Sequence, residues 1–258
     1  MRAPVIAPED IDTAKIGVTQ RPILLAHTRQ LVAYLQTLSV MQLCMIMRIS
    51  PGLADKTRHL LASWSDTPDR LRPAINSFLG DIYSGLQVTS WSADDYAYAS
   101  THLRILSGLY GILRPLDGIY PYRFEMGYRL PDEPFKNLYS FWGRSVSETL
   151  SADRIVVNLA AVEYSKVVTP FLLDRRIITP RFLTRNTLTG MPTFVVVHAK
   201  IARGAFARWL IQNRIEDADR LAAFQEIGYH YDSTLSSPNE PVYVCDQFGG
   251  TGLSVRLT

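Results

Sequence analysis

The stretch IVVNLAAVEYSK, residues 155–166, joins a β-branched apolar run to the beginning of a helix. Residues 155–158 have the composition of a short buried strand, and the residues that follow are predicted to enter a helix. Two further apolar runs, residues 194–198 and 242–245, also predict strands that are covered on both faces. Because helical stretches lie between some of these runs, the sequence predicts an α/β fold, with a mixed sheet wrapped by helices.

The composition indicates one globular domain. The chain has 258 residues, of which 47% are hydrophobic and 20% are charged, and it shows no internal repeat. Helical spacing of apolar residues predicts helices within residues 22–47, 92–106 and 199–214. The longest linker candidate, residues 127–137, is too short to separate domains. We therefore predict a single compact domain over residues 1–258.

Several classes of protein are excluded by what the sequence lacks. Cys44 and Cys245 are too few for a disulfide framework and have no metal-ligand spacing, so two buried thiols are favoured over one bridge. The five histidines show no ligand spacing, and there is no glycine-rich phosphate loop, so neither a metal nor a cofactor is expected. No signal peptide or run of about 18 apolar residues occurs, which predicts a soluble, cytoplasmic protein without a membrane partner.

A glycine-containing stretch, LSGLYGILRPLD at residues 106–117, predicts a turn that could bind phosphate. Gly108 and Gly111 are expected to end the preceding helix, and Pro115 limits the next helix to a short one. This order is that of a helix-hairpin-helix element, whose backbone amides bind a DNA phosphate without reading sequence. Ser107, Gly108, Gly111 and Arg114 are the candidate residues, and a plain helix-terminating turn is the alternative interpretation.

A basic stripe is predicted on the helix at residues 199–214. Lys200, Arg203, Arg208 and Arg214 fall within about 140° of arc at helical spacing. Gly204 lies inside that arc and leaves room for another backbone or a phosphate. The stripe is either an anion-binding surface or a charged face that is simply solvated.

Two short segments hold candidate acid–base residues. Tyr122, Arg123 and Glu125 lie close together, and an arginine beside a carboxylate and a phenol can bind an anion while the carboxylate moves a proton. Glu163 and Lys166 follow a predicted strand, where ligands commonly bind in α/β proteins. The alternatives are an Arg123–Glu125 ion pair that holds a loop and a solvated Glu163–Lys166 pair.

Taken in order, several of these segments resemble signatures of the YaaA family. They are GDIYSGL at 80–86, LSGLYGILRPLD at 106–117, PYRFEM at 121–126, LYSFWG at 138–143, VNLA at 157–160 and AKIARG at 199–204. The resemblance implies a single α/β domain with a basic cleft and a helix-hairpin-helix element. It also implies a role in limiting damage from hydrogen peroxide and intracellular iron, with DNA binding as the activity and no settled enzymatic reaction.

The chain departs from the family pattern at three places. Residues 6–12 replace a Ser-Pro-Ala-Lys-Thr-Leu motif, Ile201 stands where a second lysine usually follows Lys200, and residues 244–246 replace a basic pattern. Each change removes a cation, and cations provide most non-specific affinity for DNA. Two hypotheses follow: a peroxide-stress protein that binds nucleic acid non-specifically, and an enzyme on the same fold that acts on a small anionic metabolite, possibly within a biosynthetic pathway. Direct iron binding has no ligand cluster to support it.

Overall fold

A computed structural model of the chain describes residues 17–152 and 154–252. The departure from the family pattern at residues 6–12 lies outside the described residues. The α-helices are α1 (Leu25–Thr37), α2 (Val40–Met47), α3 (Pro51–Ala62), α4 (Ala74–Ser77), α5 (Asp81–Leu86), α6 (Ala93–His102), α7 (Leu138–Trp142), α8 (Val162–Ser165) and α9 (Val196–Gln212). The strands are β1 (Arg72–Pro73), β2 (Ile105–Ser107), β3 (Gly111–Leu113), β4 (Gly118–Ile119), β5 (Val156–Val157), β6 (Ile177–Ile178), β7 (Arg181–Arg185), β8 (Pro192–Thr193), β9 (Tyr229–Tyr231) and β10 (Val242–Cys245).

The α/β class is confirmed, and the largest sheet is mixed. Its strand order is β8-β7-β10-β9, with β7 and β10 parallel and the outer pairs antiparallel. All four residues of β10 are buried, as the continuous apolar run at 242–245 predicts. The predicted strand at 155–158 is also present as β5, which pairs in parallel with β6.

The described residues form two compact units. Unit 1 comprises residues 17–78, 103–151 and 160–173, and unit 2 comprises residues 79–102, 152, 154–159 and 174–252. That residues 1–258 make one domain stays a prediction. In unit 1, α1 buries Leu31, Val32 and Leu35, and the Trp142 indole donates to the Gly108 carbonyl at 3.2 Å.

Unit 2 is built around an aromatic core beneath α9. Phe182 of β7 stacks on Tyr243 of β10 with ring centroids 5.3 Å apart, and Phe206 of α9 contacts both rings. Such rings bury a large apolar area and prefer the offset and edge-to-face geometries seen here. Cys245, at the end of β10, is a buried free thiol, whereas Cys44 in α2 is a half-buried free thiol, so no bridge joins them.

Two glycines explain how α5 and α9 of unit 2 approach so closely. A Cβ at Gly204 would lie 1.8 Å from the Ile82 carbonyl oxygen, and a Cβ at Gly85 would lie 2.0 Å from the Ile201 carbonyl oxygen. Neither position tolerates a side chain, so the two helices pack backbone to backbone. The space that the sequence shows beside Gly204 is therefore occupied by the backbone of α5.

The predicted strand at residues 194–198 is wrong, since α9 begins at Val196. A short apolar run has the same composition in a buried strand and in the first turn of a buried helix. The predicted helix from Ser92 does begin with a capping box, in which the Ser92 N–H donates to Asp95 Oδ2 at 3.0 Å and the Asp95 N–H donates to Ser92 Oγ at 3.1 Å. It ends at His102 rather than near Leu106.

The predicted helix-hairpin-helix element is not confirmed, because the segment forms a β-hairpin. Strands β2 and β3 pair antiparallel, with Ser107 opposite Gly111. Gly111 has φ +69°, the left-handed conformation that commonly closes a three-residue hairpin loop. A Cβ at Gly108 would lie 2.7 Å from the backbone carbon of Glu125. The two glycines therefore serve a tight hairpin and its packing.

Among the described residues, no single helix is long and apolar enough to span a membrane. Helices α1 and α2 reach that length and hydropathy only together, and they are bent by 115° at their junction.

Candidate acid–base site

Glu125 of unit 1 is positioned by the irregular segment that follows β4. Tyr122 and Phe124 are 3% and 1% exposed and anchor this segment in the core, and Glu125 is itself only 8% exposed. The Tyr122 hydroxyl lies 2.7 Å from Ser107 Oγ, which also accepts a hydrogen bond from the Tyr110 N–H. Tyr122, proposed from the sequence as a catalytic residue, therefore has a structural partner in the hairpin.

Glu163 is held next to this segment by two hydrogen bonds. Its Oε1 accepts from the Gly127 N–H at 2.9 Å, and its main-chain carbonyl accepts from the Tyr139 hydroxyl at 2.9 Å. A Cβ at Gly127 would lie 3.1 Å from Glu163 Oε1, so a glycine lets the backbone approach the carboxylate. Gly127 and Tyr139 thus fix Glu163 from opposite ends of the residue.

The two carboxyl groups interact electrostatically. Burial raises the pKa of Glu125, and the Glu163 carboxylate raises this pKa further, with a partial offset from the Arg123 guanidinium. Burial, together with the charge of Glu125, raises the pKa of Tyr128 to about 12, and burial and the charge of Glu163 also raise the pKa of Tyr139. The site therefore combines a buried carboxyl group with a raised pKa, a second carboxyl group held by a hydrogen bond, and two phenols.

Arg123 has the unsatisfied polar group of this site. Among the described residues, its buried Nε has no hydrogen-bond partner and the side chain forms no ion pair with Glu125. The alternative interpretation of an Arg123–Glu125 ion pair is therefore not supported. A buried donor without a partner is costly, and a bound anion would satisfy it.

Lys166 is not joined to the two carboxylates. It is exposed at the end of α8, and in the described ranges no ion pair or hydrogen bond links its side chain to Glu163 or Glu125. The solvated Glu163–Lys166 pair suggested by their spacing is not formed.

Three arginines predicted to contact phosphate already have partners. Arg114 pairs with Asp117 at 2.8 Å, Arg208 pairs with Glu226, and Arg214 pairs with Asp95 at 2.9 Å. Arg208 also donates to the Gly85 carbonyl at 3.2 Å, and the Arg214 guanidinium lies 4.6 Å from the centre of the Tyr98 ring. These contacts hold elements together within each unit.

Lys200 and Arg203 differ from those three arginines. Within the described ranges, neither side chain forms an ion pair or a hydrogen bond, and burial lowers the pKa of Arg203. In contrast, Ser107, Gly108 and Gly111 are buried in the hairpin. Of the residues proposed for nucleic acid, only Lys200 and Arg203 therefore have unpaired charges.

Sequence reasoning missed Gly127, Tyr128 and Tyr139. The first two lie two and three residues after Glu125 in the sequence PYRFEMGY, so the signal was proximity to a candidate residue. Tyr139 is far from Glu163 in the chain, and only the LYSFWG signature pointed to it. Among the described residues, no group of three or more His, Cys, Asp or Glu side chains could hold a metal.

Comparison with known proteins adds two findings. A family model described as peroxide stress protein YaaA matches residues 5–235. A protein of Salinispora tropica described as a UPF0246 protein is 57% identical over 235 residues, which are 91% of this chain and 89% of the relative.

Proposed function

The chain belongs to the peroxide stress protein YaaA family, and from this premise we propose that it carries out acid–base chemistry on a small anionic molecule at Glu125 and Glu163. The observation that supports this proposal is the pairing of a buried Glu125, whose pKa is raised, with Glu163, whose carboxyl group is held by a hydrogen bond. Titratable groups with shifted pKa values that cluster together are typical of active sites.

Each residue has a distinct role in the proposed chemistry. Arg123 binds the anionic group of the substrate, because its buried Nε has no other partner among the described residues. Glu125 donates a proton, since burial and the neighbouring carboxylate keep a proton on it at higher pH than usual. Glu163, held by the Gly127 N–H, accepts a proton or stabilises developing positive charge. Tyr128 and Tyr139 remain neutral at physiological pH, because burial and the neighbouring carboxyl groups raise their pKa values.

The test is peroxide survival of a strain that lacks the gene and is complemented with variants. Glu125→Gln keeps the shape of the side chain but cannot transfer a proton, so we expect it to fold and to give no protection. Lys166→Gln is the matched control, because Lys166 is exposed and contacts neither carboxylate. Full protection by a folded Glu125→Gln protein would refute the proposed chemistry.

Non-specific nucleic-acid binding is the second candidate function. Lys200 and Arg203 support it, since both cations lack an acidic partner among the described residues. A phosphate backbone would provide the missing counter-charge without any requirement for sequence.

A further inference from the structure

Four large apolar side chains are exposed in one short segment of unit 2, the β7–β8 loop and the residues that lead into α9. Leu188 is 94% exposed, Met191 64%, Phe194 57% and Val196 54%. Leu188 and Met191 lie in the connection between β7 and β8, Phe194 follows β8, and Val196 is the first residue of α9, so all four lie within nine consecutive residues. We call this set the apolar tip. Clusters of exposed apolar side chains usually mark a surface that binds a partner.

The loop of the apolar tip between β7 and β8 pairs several of its own backbone groups. Asn186 Oδ1 accepts from the N–H groups of Leu188 and Thr189 at 2.8 and 3.0 Å. The Asn186 N–H donates to the Met191 carbonyl, and the Gly190 N–H donates to the Asn186 carbonyl. Because these groups of the β7–β8 loop are paired internally, burying the loop in an apolar medium costs less than burying unpaired backbone groups.

The sequence around the tip is basic and lacks acidic residues. No Asp or Glu occurs at residues 175–215, where the basic residues are Arg175, Arg176, Arg181, Arg185, Lys200, Arg203, Arg208 and Arg214. Three of these eight pair with acidic residues elsewhere in unit 2. The side chains of Lys200 and Arg203 have no such partner among the described residues. Val196, Lys200 and Arg203 are spaced four and three residues apart, so they share one stripe of α9.

This arrangement favours an anionic partner over a second copy of the chain. A symmetric dimer through the tip would bring Lys200 and Arg203 close to the same cations of the other copy, which is unfavourable. An anionic partner instead compensates both cations.

A lipid surface fits the tip better than a nucleic-acid duplex does. A hairpin that enters a groove of a duplex passes between two rows of phosphates and usually carries cations that contact them. Residues 186–199 contain no Lys or Arg, and no Asp or Glu either. A wedge between base pairs uses one or two side chains, whereas four are exposed here. An uncharged apolar end with cations at its base is the arrangement that binds the interface of an anionic bilayer.

We propose that the apolar tip inserts into the surface of an anionic membrane, with Lys200 and Arg203 placed at the lipid phosphates. This inference is independent of the proposed acid–base chemistry. Four apolar side chains and two cations give weak, reversible binding, not permanent anchoring.

The test is co-sedimentation of the purified full-length protein with vesicles. We expect binding to vesicles of equal parts phosphatidylcholine and phosphatidylglycerol, and much weaker binding to phosphatidylcholine alone. The double change Leu188→Ser and Phe194→Ser should reduce binding about tenfold or more through lost apolar contact. Lys200→Ala with Arg203→Ala should reduce it by a similar factor through lost attraction to lipid phosphate. Leu173→Ser is the matched control, because Leu173 is 86% exposed but belongs to unit 1.

Three results would overturn the inference. The first is an absence of binding to the anionic vesicles. The second is vesicle binding that survives the loss of Leu188 and Phe194, since it would then be purely electrostatic. The third is a concentration-dependent dimer that the double change Leu188→Ser and Phe194→Ser abolishes, because the tip would then bind a second copy of the chain. Duplex binding that the same double change abolishes, in a protein that does not bind vesicles, would likewise assign the tip to DNA.

Discussion

At the scale of single residues, Glu125 combines burial with an absence of stabilising donors. It is 8% exposed, and no described residue donates a hydrogen bond to its carboxyl group. When the pKa of a group differs between the folded and the unfolded chain, the group makes the free energy of unfolding depend on pH. The neighbouring Glu163 differs, because its Oε1 accepts a hydrogen bond from the Gly127 N–H.

The pH dependence of stability follows from the raised pKa of Glu125. In the unfolded chain this carboxyl group titrates near its ordinary value of 4.5, whereas in the folded chain its pKa is higher. The folded state therefore binds the proton more tightly, and this stabilisation is complete below 4.5 and is lost as the pH rises through the raised value. Glu125→Gln should melt close to the wild type at pH 4 and above it at pH 8. Glu148→Gln, at an exposed site, is the control in these melting curves. If the difference in melting temperature between Glu125→Gln and the wild type is the same at pH 4 and pH 8, the raised pKa of Glu125 is contradicted.

Sequence reasoning reached part of this site, and the remainder shows its limits. Arg123, Glu125 and Glu163 were identified because a cation and carboxylates occur in short segments with signature composition. The sequence also indicates Tyr122 as an acid–base candidate, because it is adjacent to Arg123. Its hydrogen bond to Ser107 in the core depends on the fold and cannot be read from the sequence. Proximity along the chain does not show which side chains of an irregular segment point towards the core.

At the scale of elements, the crossing of α5 and α9 connects two of the family signatures. Gly85 belongs to GDIYSGL and Gly204 to AKIARG, and each removes the side chain that would meet the other helix. The sequence showed a glycine within a basic stripe and allowed either a backbone or a phosphate beside it. Only the partner helix, more than a hundred residues away in the chain, decides between them. The error at residues 194–198 has the same origin, since the packing of α9 outweighs the local β preference of three valines.

Gly204→Ala should strongly destabilise the fold. The added methyl group would lie 1.8 Å from the Ile82 carbonyl and 2.7 Å from the Leu86 nitrogen, so α5 and α9 must separate. We expect a loss of about 3 kcal/mol or more in the free energy of unfolding, measured by urea denaturation. Gly52→Ala is the matched control, because Gly52 lies in α3 with nothing within 4 Å of the added Cβ. That change should be neutral or stabilise by up to about 1 kcal/mol, and equal stability of the two variants would exclude a close crossing.

At the scale of the whole molecule, the distribution of charge is more informative than its sum. The formal net charge of +3 gives little indication of a partner, yet a stretch of 41 residues, 175–215, has eight basic and no acidic residues. The sequence predicted a basic stripe on a helix at residues 199–214 within this stretch, but α9 ends at Gln212, so Arg214 lies beyond the helix. The sequence could not predict which arginines would be neutralised, because Asp95 and Glu226, the partners of Arg214 and Arg208, lie in other segments. The number of free cations is a property of the folded chain.

The number of cations without an acidic partner sets the expected salt dependence of duplex binding. Five predicted phosphate contacts, Arg114, Lys200, Arg203, Arg208 and Arg214, would give a slope of log affinity against log salt of about −4.5. Because three of these arginines form ion pairs, two contacts remain and the expected slope is about −2. Arg203→Ala should weaken binding to all sequences alike and bring the slope to about −1, whereas Lys56→Ala, at an exposed site of α3, should change neither. A slope of about −4 or steeper in the wild type would mean that the ion pairs open on binding or that other cations contact the duplex. An affinity that does not change with salt would exclude phosphate contacts by Lys200 and Arg203 altogether.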